Sequence, residues 1–484
     1  MNLSSQADES VDVLVIGGGP GGTPAALALA QAGRRVLLVE QGDGLGGTCL
    51  FEGCIPSKIF RESALRLHAA DRAGEFGVGF DAAMKPVIDW QRVLERKRDI
   101  LAARAAAALR NAQALPTLQI VRGHARLLGA HWAEISLPSS APRGLRFAHA
   151  ILAAGAQAAR STLAGGDLAG VHASEQLLSL DRVPDSLLLV GGGPIGVEMA
   201  QIFHLLGSRV TLLQGRERIL PSMDADLALQ LQQRLQDSGI DLRCGARAQC
   251  IVAVPGGLRV TYSDAQGNGG QIEAQHVGLA LGRVPRIAEL GLEHTRIRHD
   301  GKGLRVDAQL QTDEPDIYAV GDLLGQPMFA HWATAQAQAL AAHLLGKPAA
   351  FPKPEHNSAV IFSHPEFATA GLTVAQAQAA GLIVDIASYD YAIDARAQIG
   401  GETGLLRLVF ERDSRRIVGV HALIEGASDL IGEGALIVRH GLTLEQLAQA
   451  IHPHPTLTES MGVLARQTLA RLQGLAMHAH HPVP

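Results

Sequence analysis

The stretch VDVLVIGGGPGGTPAALALAQAGRRVLLVEQ near the start of the chain constrains its fold more than any other. A short apolar run, Val11 to Ile16, leads into Gly17, Gly19 and Gly22 at G-x-G-x-x-G spacing, then an Ala/Leu-rich helical segment, then a second apolar run ending at Glu40. Each part has a physical task. The first glycine makes a tight turn out of a strand, the second lets backbone N–H groups approach a pyrophosphate, and the third lets helix and strand pack closely. Glu40 falls about 20 residues on, where a carboxylate accepts hydrogen bonds from a ribose. Strand, turn, helix, strand and acid in that order read as a dinucleotide-binding unit.

The unit recurs. SLLLVGGGPIGVEMAQIFHLLGSRVTLLQ repeats the strand, the glycines (Gly191, Gly193, Gly196), the helix and the second strand, with Gln214 where the acid is expected. Two such units imply two dinucleotides, or one reaction that passes electrons between them. Residues 90–113 read as one long helix, followed by short strands up to His149–Gly155, and a further strand-rich stretch runs from about 240 to 281. A strand in LQTDEPDIYAVGDLLG ends at Gly321-Asp322. Beyond Pro352 come strands at Leu405 to Phe410 and Ile417 to Ala422, and helices at Ala427–His440, Leu444–Ile451 and Leu457–Leu472. The expected fold class is α/β with two Rossmann-like dinucleotide-binding domains and a C-terminal α+β domain. The first domain covers 1–150 and is completed by a central part, 282–351; the second covers 151–281, and the last 352–484.

Between the two units, GGTCLFEGCIPSK (Gly46 to Lys58) places Cys49 and Cys54 five positions apart. On an ideal helix such residues sit about 140° apart and on the order of 8 Å along the axis, too far for a disulfide. Gly53 loosens the backbone and Pro56 lacks the N–H for a bond to Glu52, so the sequence supplies the distortion a bond would need. A redox pair, buried thiols and half of a zinc site are the readings to weigh. Zinc fits worst: Cys244 and Cys250 lie in another region without a histidine at finger-like spacing, and no metal site is expected.

Four cysteines in 484 residues do not make a secreted disulfide framework, which favours the cytoplasm and a catalytic role for any disulfide. The first ten residues lack a secretory signal, and no run of eighteen apolar residues occurs, so no membrane partner is expected. A net charge of −5 and 4% aromatic residues argue against nucleic acid. The tail holds His478, His480 and His481 and reads as a disordered end.

With these features in place, the chain from about residue 11 to 472 resembles the class I pyridine nucleotide-disulfide oxidoreductases, and among them the dihydrolipoamide dehydrogenase branch. The resemblance rests on GGTC…GCIPSK, the AVGD box, HPHPTLTES and the stretch RRIVGVHALIEGASDLIGEGALIVRHG, similar to the family's interface domain. It implies FAD held by Gly17, Gly19, Gly22, Glu40, Gly47, Thr48, Lys58, Gly155, Gly321 and Asp322. NAD or NADP would be held by Gly191, Gly193, Gly196, Gln214, Arg216 and Gly282. Cys49 resembles the interchange cysteine that meets substrate, and Cys54 the flavin-proximal one, with a disulfide between them in the resting enzyme. Lys58 would pair with Glu198. His454 matches the family's acid/base, with Glu459 as its orienting carboxylate, in a homodimer whose partner chain supplies the histidine. Thr456-x-x-Glu459 also reads as a capping box for the last helix.

The implied substrate is a small dithiol or disulfide, dihydrolipoamide foremost, free or carried on a lipoyl-bearing protein. The alternatives are an NAD(P)H-dependent reductase of another small disulfide or oxidant, and a lipoyl-domain binding or redox-sensing flavoprotein. Phe51, Pro194 and Trp332 depart from the residues usual in the lipoamide branch and bear on substrate choice. Gln214 keeps an acceptor but removes the repulsion a Glu would exert on a 2′-phosphate; Arg216 stands where it can reach one, Arg218 is less telling, and Glu217 weakens the field. The expectation is that NAD remains usable and NADP is tolerated.

Overall fold

The computed structural model describes residues 9–80 and 86–474; the three tail histidines lie outside them. Two compact units form. One runs to Thr162 and takes in Val171–Val183 and Gly278–Pro352; the other comprises Leu163–Gly170, Pro184–Val277 and the chain from Lys353 on.

In the first unit the glycine-loop stretch becomes β1 (Glu9–Ile16), α1 (Gly22–Gln31) and β2 (Val36–Glu40). After them come α2 (Gly47–Phe51), α3 (Cys54–Asp71), α4 (Trp90–Gln113), β3 (Leu118–Arg122), β4 (His124–Gly129), β5 (Trp132–Ser136) and β6 (Arg143–Leu152). The strands order as β3-β2-β1-β6-β5-β4. β3, β2, β1 and β6 run parallel, and β1 and β2 are buried on both faces over Val13–Ile16 and Val36–Val39. This double burial is why they read as unbroken apolar runs rather than as alternation.

The strand Ile317–Ala319 pairs in parallel with β6. Ile16, Leu152 and Ala319 stand level across three parallel strands, so the glycine loop and the Gly321-Asp322 turn leave the sheet at one carboxyl end. Open α/β sheets bind ligands at such an end. The long helix expected over 90–113 is α4, capped by Asp89, which accepts from the Arg92 N–H at 3.1 Å. Trp90 anchors it, with its ring 4.5 Å from that of Phe60 on α3 and its indole N–H donating to the Leu180 carbonyl at 3.1 Å.

The second unit repeats the pattern as β7 (Ser186–Val190), α5 (Pro194–Leu205), β8 (Arg209–Gln214), α6 (Ala225–Asp237) and β9 (Asp241–Cys244), with β8 parallel to both β7 and β9. An antiparallel ribbon follows: β10 (Arg247–Val254), β11 (Gly257–Ser263) and β12 (Gly269–Ala274). The rest is an antiparallel sheet of β13 (Ser358–Ile361), β14 (Phe367–Gly371), β15 (Val384–Asp390), β16 (Leu405–Glu411) and β17 (Ile417–Leu423), ordered β13-β14-β17-β16-β15.

Helices α7 (Ala427–His440), α8 (Leu444–Ala448) and α9 (Glu459–Leu472) share a core with that sheet, in which Tyr391, Phe410, Leu430 and Met461 are buried. The helix expected to reach Ile451 stops at Ala448, and the one expected from Leu457 begins at Glu459. Pro453 and Pro455 restrict His452 and His454 and so keep the two helices from joining, while the exact limits fall a few residues outside them. No described helix is long and apolar enough to cross a membrane.

Candidate active site

The first glycine loop is tightly constrained. A Cβ on Gly22 would lie 1.8 Å from the Gly17 carbonyl oxygen, so only glycine permits the close packing of α1 on β1. Gly19 is open on that side, its nearest neighbour being the Gly47 Cα at 3.8 Å from such a Cβ. Glu40 holds the loop with both oxygens, accepting from the Gly18 N–H at 2.6 Å and the Gly42 N–H at 2.7 Å. A carboxylate has about four acceptor sites, so two remain for ribose hydroxyls.

The cysteine pair is built directly onto this loop. The Gly46 N–H donates to the Gly18 carbonyl at 2.8 Å, and Gly47 adopts a positive φ of 56° where a Cβ would stand 2.8 Å from the Gly19 Cα. The chain between the cysteines does not form one helix. α2 ends at Phe51, Gly53 takes a non-helical conformation (φ −141°, ψ −97°), and α3 restarts at Cys54. This break brings the two thiols into a side-chain hydrogen bond. Both are reduced; Cys49 is half-buried and Cys54 exposed.

Their surroundings differ. The Cys49 thiol is pushed far up, first by its hydrogen bond to Cys54 and then by burial, against the pull of Lys58 and Arg104. Cys54 is the first residue of the 18-residue α3, where the helix dipole favours a thiolate. The position of Cys54 at the start of α3, beside a half-buried Cys49, makes Cys54 the better placed of the two to carry a negative charge. Thr48 lies on α2 beside Cys49, and Lys58 one turn along α3 beyond Cys54, with its ammonium donating to Ser57 Oγ at 3.3 Å.

Gly321 has a φ of 72°, and its N–H donates to Gln336 Oε1 at 2.8 Å, which presents Asp322 at the end of its strand. Burial raises the Asp322 carboxyl pKa, Arg283 opposes it, and its oxygens meet no hydrogen-bond partner among the described residues. A desolvated carboxyl of this kind fits the hydroxyls of a polyol chain. Gly155 (φ 73°) accepts from the Arg286 N–H at 2.9 Å. Arg283, absent from the sequence-based site, has no motif of its own; only the fold places its charge near Asp322.

In the second unit Gly193 caps α5 with open space around it, and Gly191 and Gly196 flank it. Gln214 is buried at the end of β8, its amide N–H donating to the Arg218 carbonyl at 3.2 Å. Glu198 is buried on α5 and accepts from the Phe362 N–H at 2.9 Å. Gly282 lies in the first unit, its carbonyl accepting from the Ala159 N–H at 3.0 Å.

His454 Nδ1 stands 3.0 Å from both oxygens of Glu459, and the imidazole is exposed. Glu459 also accepts from the Thr456 N–H at 3.1 Å, so one carboxylate orients the histidine and braces the entry to α9. His452 has its own partner: its Nε2 lies 2.8 Å from Glu433 Oε1, and its ring is largely buried. Glu433, on α7, carried no signal in the sequence. No group of three or more His, Cys, Asp or Glu among the described residues is arranged to hold a metal ion.

Residues 11–339 match the family model for pyridine nucleotide-disulphide oxidoreductase, and 357–465 match that family's dimerisation domain. The chain belongs to this family. As a pyridine nucleotide-disulphide oxidoreductase it is an enzyme, with FAD and NAD or NADP as cofactors and a dimerisation domain of the family's type. It is 33% identical over 471 residues to a dihydrolipoyl dehydrogenase of Bacillus subtilis, covering 96% of this chain and 99% of that one. A dihydrolipoyl dehydrogenase of Pseudomonas aeruginosa is 35% identical over 473 residues, 96% and 98% of the two chains.

Among solved structures it is similar to LpdA from Mycobacterium tuberculosis, with a TM-score of 0.86, 27% identity, and coverage of 95% and 100% of the two chains. It is also similar to the HOCl-induced flavoprotein disulfide reductase RclA from Escherichia coli in its Cu(II) complex, with a TM-score of 0.84, 26% identity, and coverage of 95% and 99%.

Proposed function

We propose that this oxidoreductase moves electrons between dihydrolipoamide, free or on a lipoyl-bearing protein, and a nicotinamide coenzyme in the cytoplasm. The observation that carries the reading is the Cys49–Cys54 hydrogen bond, abutting a dinucleotide loop, with Cys54 at the N-terminal end of α3.

In the oxidised pair a substrate thiolate attacks the Cys49 sulfur, forming a mixed disulfide and displacing Cys54 as thiolate. The second substrate thiol attacks its own partner sulfur, closing lipoamide and releasing Cys49, which takes up a proton. The helix dipole at Cys54 stabilises the first leaving group. His454 removes the substrate's thiol proton and returns one to Cys49, with Glu459 fixing the ring so that Nε2 faces the sulfur chemistry. Gly17, Gly19, Gly22, Glu40 and Asp322 hold FAD, which supplies the two-electron coupling between the reduced pair and the nicotinamide.

His454 serves the cysteine pair of a second copy in a homodimer. The dimerisation domain supports this, as do Ile451 and Leu436, 99% and 61% exposed in that domain, which offer apolar area to a partner. Anaerobic turnover of purified enzyme with dihydrolipoamide and either coenzyme tests the proposal; no turnover with either removes the lipoamide reading. A second reading, reduction of another small disulfide or oxidant, is favoured by the likeness to RclA, described as an HOCl-induced reductase and solved with Cu(II), and by the departures at Phe51, Pro194 and Trp332. Under that reading a panel of disulfides and Cu(II) outpaces lipoamide.

A further inference from the structure

Three arginines meet the corner at the end of β8, Arg216 and Arg218 just after it and Arg247 at the start of β10, with different fates. Arg218 is consumed by its own loop: its terminal nitrogens donate to the carbonyls of Ile219, Leu220, Pro221 and Met223 at 2.7–3.2 Å. Arg216 and Arg247 are exposed, and neither guanidinium meets a hydrogen-bond or ion-pair partner among the described residues.

The fold brings these two together. The Gly245 N–H donates to the Arg216 carbonyl at 2.7 Å and the Ala246 N–H to the Gln214 carbonyl at 3.0 Å, which fastens the start of β10 to the end of β8. The Arg247 side chain then lies across Gly215, where a Cβ would stand 3.1 Å from its Cγ and 3.7 Å from its Nε. Glycine at 215 thus admits the Arg247 stem beside Gln214.

The chemistry of this corner is that of an anion site. A ribose diol is recognised by a carboxylate that accepts from both hydroxyls; here the acceptor Gln214 Oε1 already faces the Arg216 N–H at 3.4 Å, and the amide keeps a second N–H to donate. Arg247 lies against Gly215 and Arg216 follows it in the chain, and each unpaired guanidinium is matched to a phosphate monoester through bidentate hydrogen bonds. Exposed Glu217 is the one carboxylate in Gly215–Arg218, leaving the corner with net positive charge.

We propose that Arg216 and Arg247 form a 2′-phosphate site and that the coenzyme this enzyme prefers is NADP(H). The inference rests on the second glycine unit being the nicotinamide-nucleotide site. It reverses the sequence-based expectation, which weighed Arg216 and Arg218 and had no reason to consider a residue on β10.

Calorimetric titration of the FAD-loaded, full-length protein with adenosine 2′,5′-bisphosphate and with 5′-AMP tests it without turnover. The bisphosphate should bind at least about tenfold tighter, and the gap should shrink as ionic strength rises. Arg216→Gln and Arg247→Gln should each weaken the bisphosphate about tenfold and 5′-AMP less than twofold, and Arg247→Lys should recover part of the loss. Equal affinity for the two probes in the native protein overturns the 2′-phosphate site. So does an equal loss for both probes in the variants, which marks the arginines as supports of the loop. An unchanged bisphosphate affinity in Arg247→Gln removes that residue from the site. If neither probe binds, the assignment of the second glycine unit falls with it.

Discussion

His454 Nδ1 lies 3.0 Å from each carboxylate oxygen of Glu459, five residues along the chain, while the neighbouring His452 is paired with Glu433 at 2.8 Å. Two histidines of one short segment are thus held by two different carboxylates. The exposed one has Nδ1 engaged by Glu459, which leaves Nε2 as the ring nitrogen turned to other partners. His454→Gln should lower kcat/KM for dihydrolipoamide by about 10²–10⁴, the usual worth of a general base, and Glu459→Gln by a smaller factor of about ten to a hundred. His452→Gln should act on thermal stability instead. A larger catalytic loss from His452→Gln than from His454→Gln in steady-state assays would reverse the assignment.

The cross-subunit role of His454 is open to complementation. Cys49→Ser chains and His454→Gln chains, each inactive, should recover about a quarter of native activity after equimolar subunit exchange. Half the dimers would then be mixed, each with one of two sites intact. Absence of recovery once exchange is demonstrated by mass spectrometry would place His454 in its own chain's site or outside catalysis.

The polarity of the cysteine pair predicts its spectroscopy. With Cys54 as the thiolate, two-electron reduction should give a long-wavelength absorption band that Cys54→Ser abolishes and Cys49→Ser retains. Loss of the band in Cys49→Ser with its survival in Cys54→Ser would show that the proton sits on the other sulfur.

Within the second unit, Arg407 on β16 is buried and bonded at 2.9 Å to Asp224, the N-cap of α6, and to Asp226. Arg407→Leu leaves the Asp224 carboxylate buried without its cation and should cost about 3–5 kcal/mol. The double change Arg407→Leu with Asp224→Asn should recover part of that. Urea midpoints at fixed protein concentration measure both.

His421 sits opposite Arg407 on β17, fully buried; its Nε2 donates to the Leu372 carbonyl at 3.0 Å and its Nδ1 faces the Thr369 hydroxyl at 2.5 Å. Burial pushes its pKa down, with Arg407 adding to the shift and Asp224 and the Leu372 carbonyl opposing it. A folded pKa below the unfolded value of about 6.5 means that His421 contributes stability fully above that pH. The contribution is lost as pH falls toward the folded pKa, at up to about 1.4 kcal/mol per pH unit. His421→Gln, which keeps a donor and an acceptor, should flatten the stability profile below pH ~6.5; an unchanged slope would mean that another group carries it.

Both glycine loops, the cysteine pair, the helices α4 and α7 and the His454–Glu459 dyad were legible in the sequence, because each is encoded within a short window. Apolar periodicity, a glycine that alone admits a close approach, and a proline that interrupts a helix are local facts of the chain. The tertiary structure decided the rest. The break at Gly53 makes a hydrogen bond of two thiols that an ideal helix would keep apart. Arg283 beside Asp322, Glu433 beside His452, and Asp224 beside Arg407 are separated by 19 to 183 residues and joined by no motif. Arg247 reaches the end of β8 only because β10 is tied there by backbone hydrogen bonds and Gly215 leaves room for its stem. Charges act through space over several ångströms regardless of sequence separation, so the electrostatics that distinguish a thiol from a thiolate, or one coenzyme from another, belong to the folded chain.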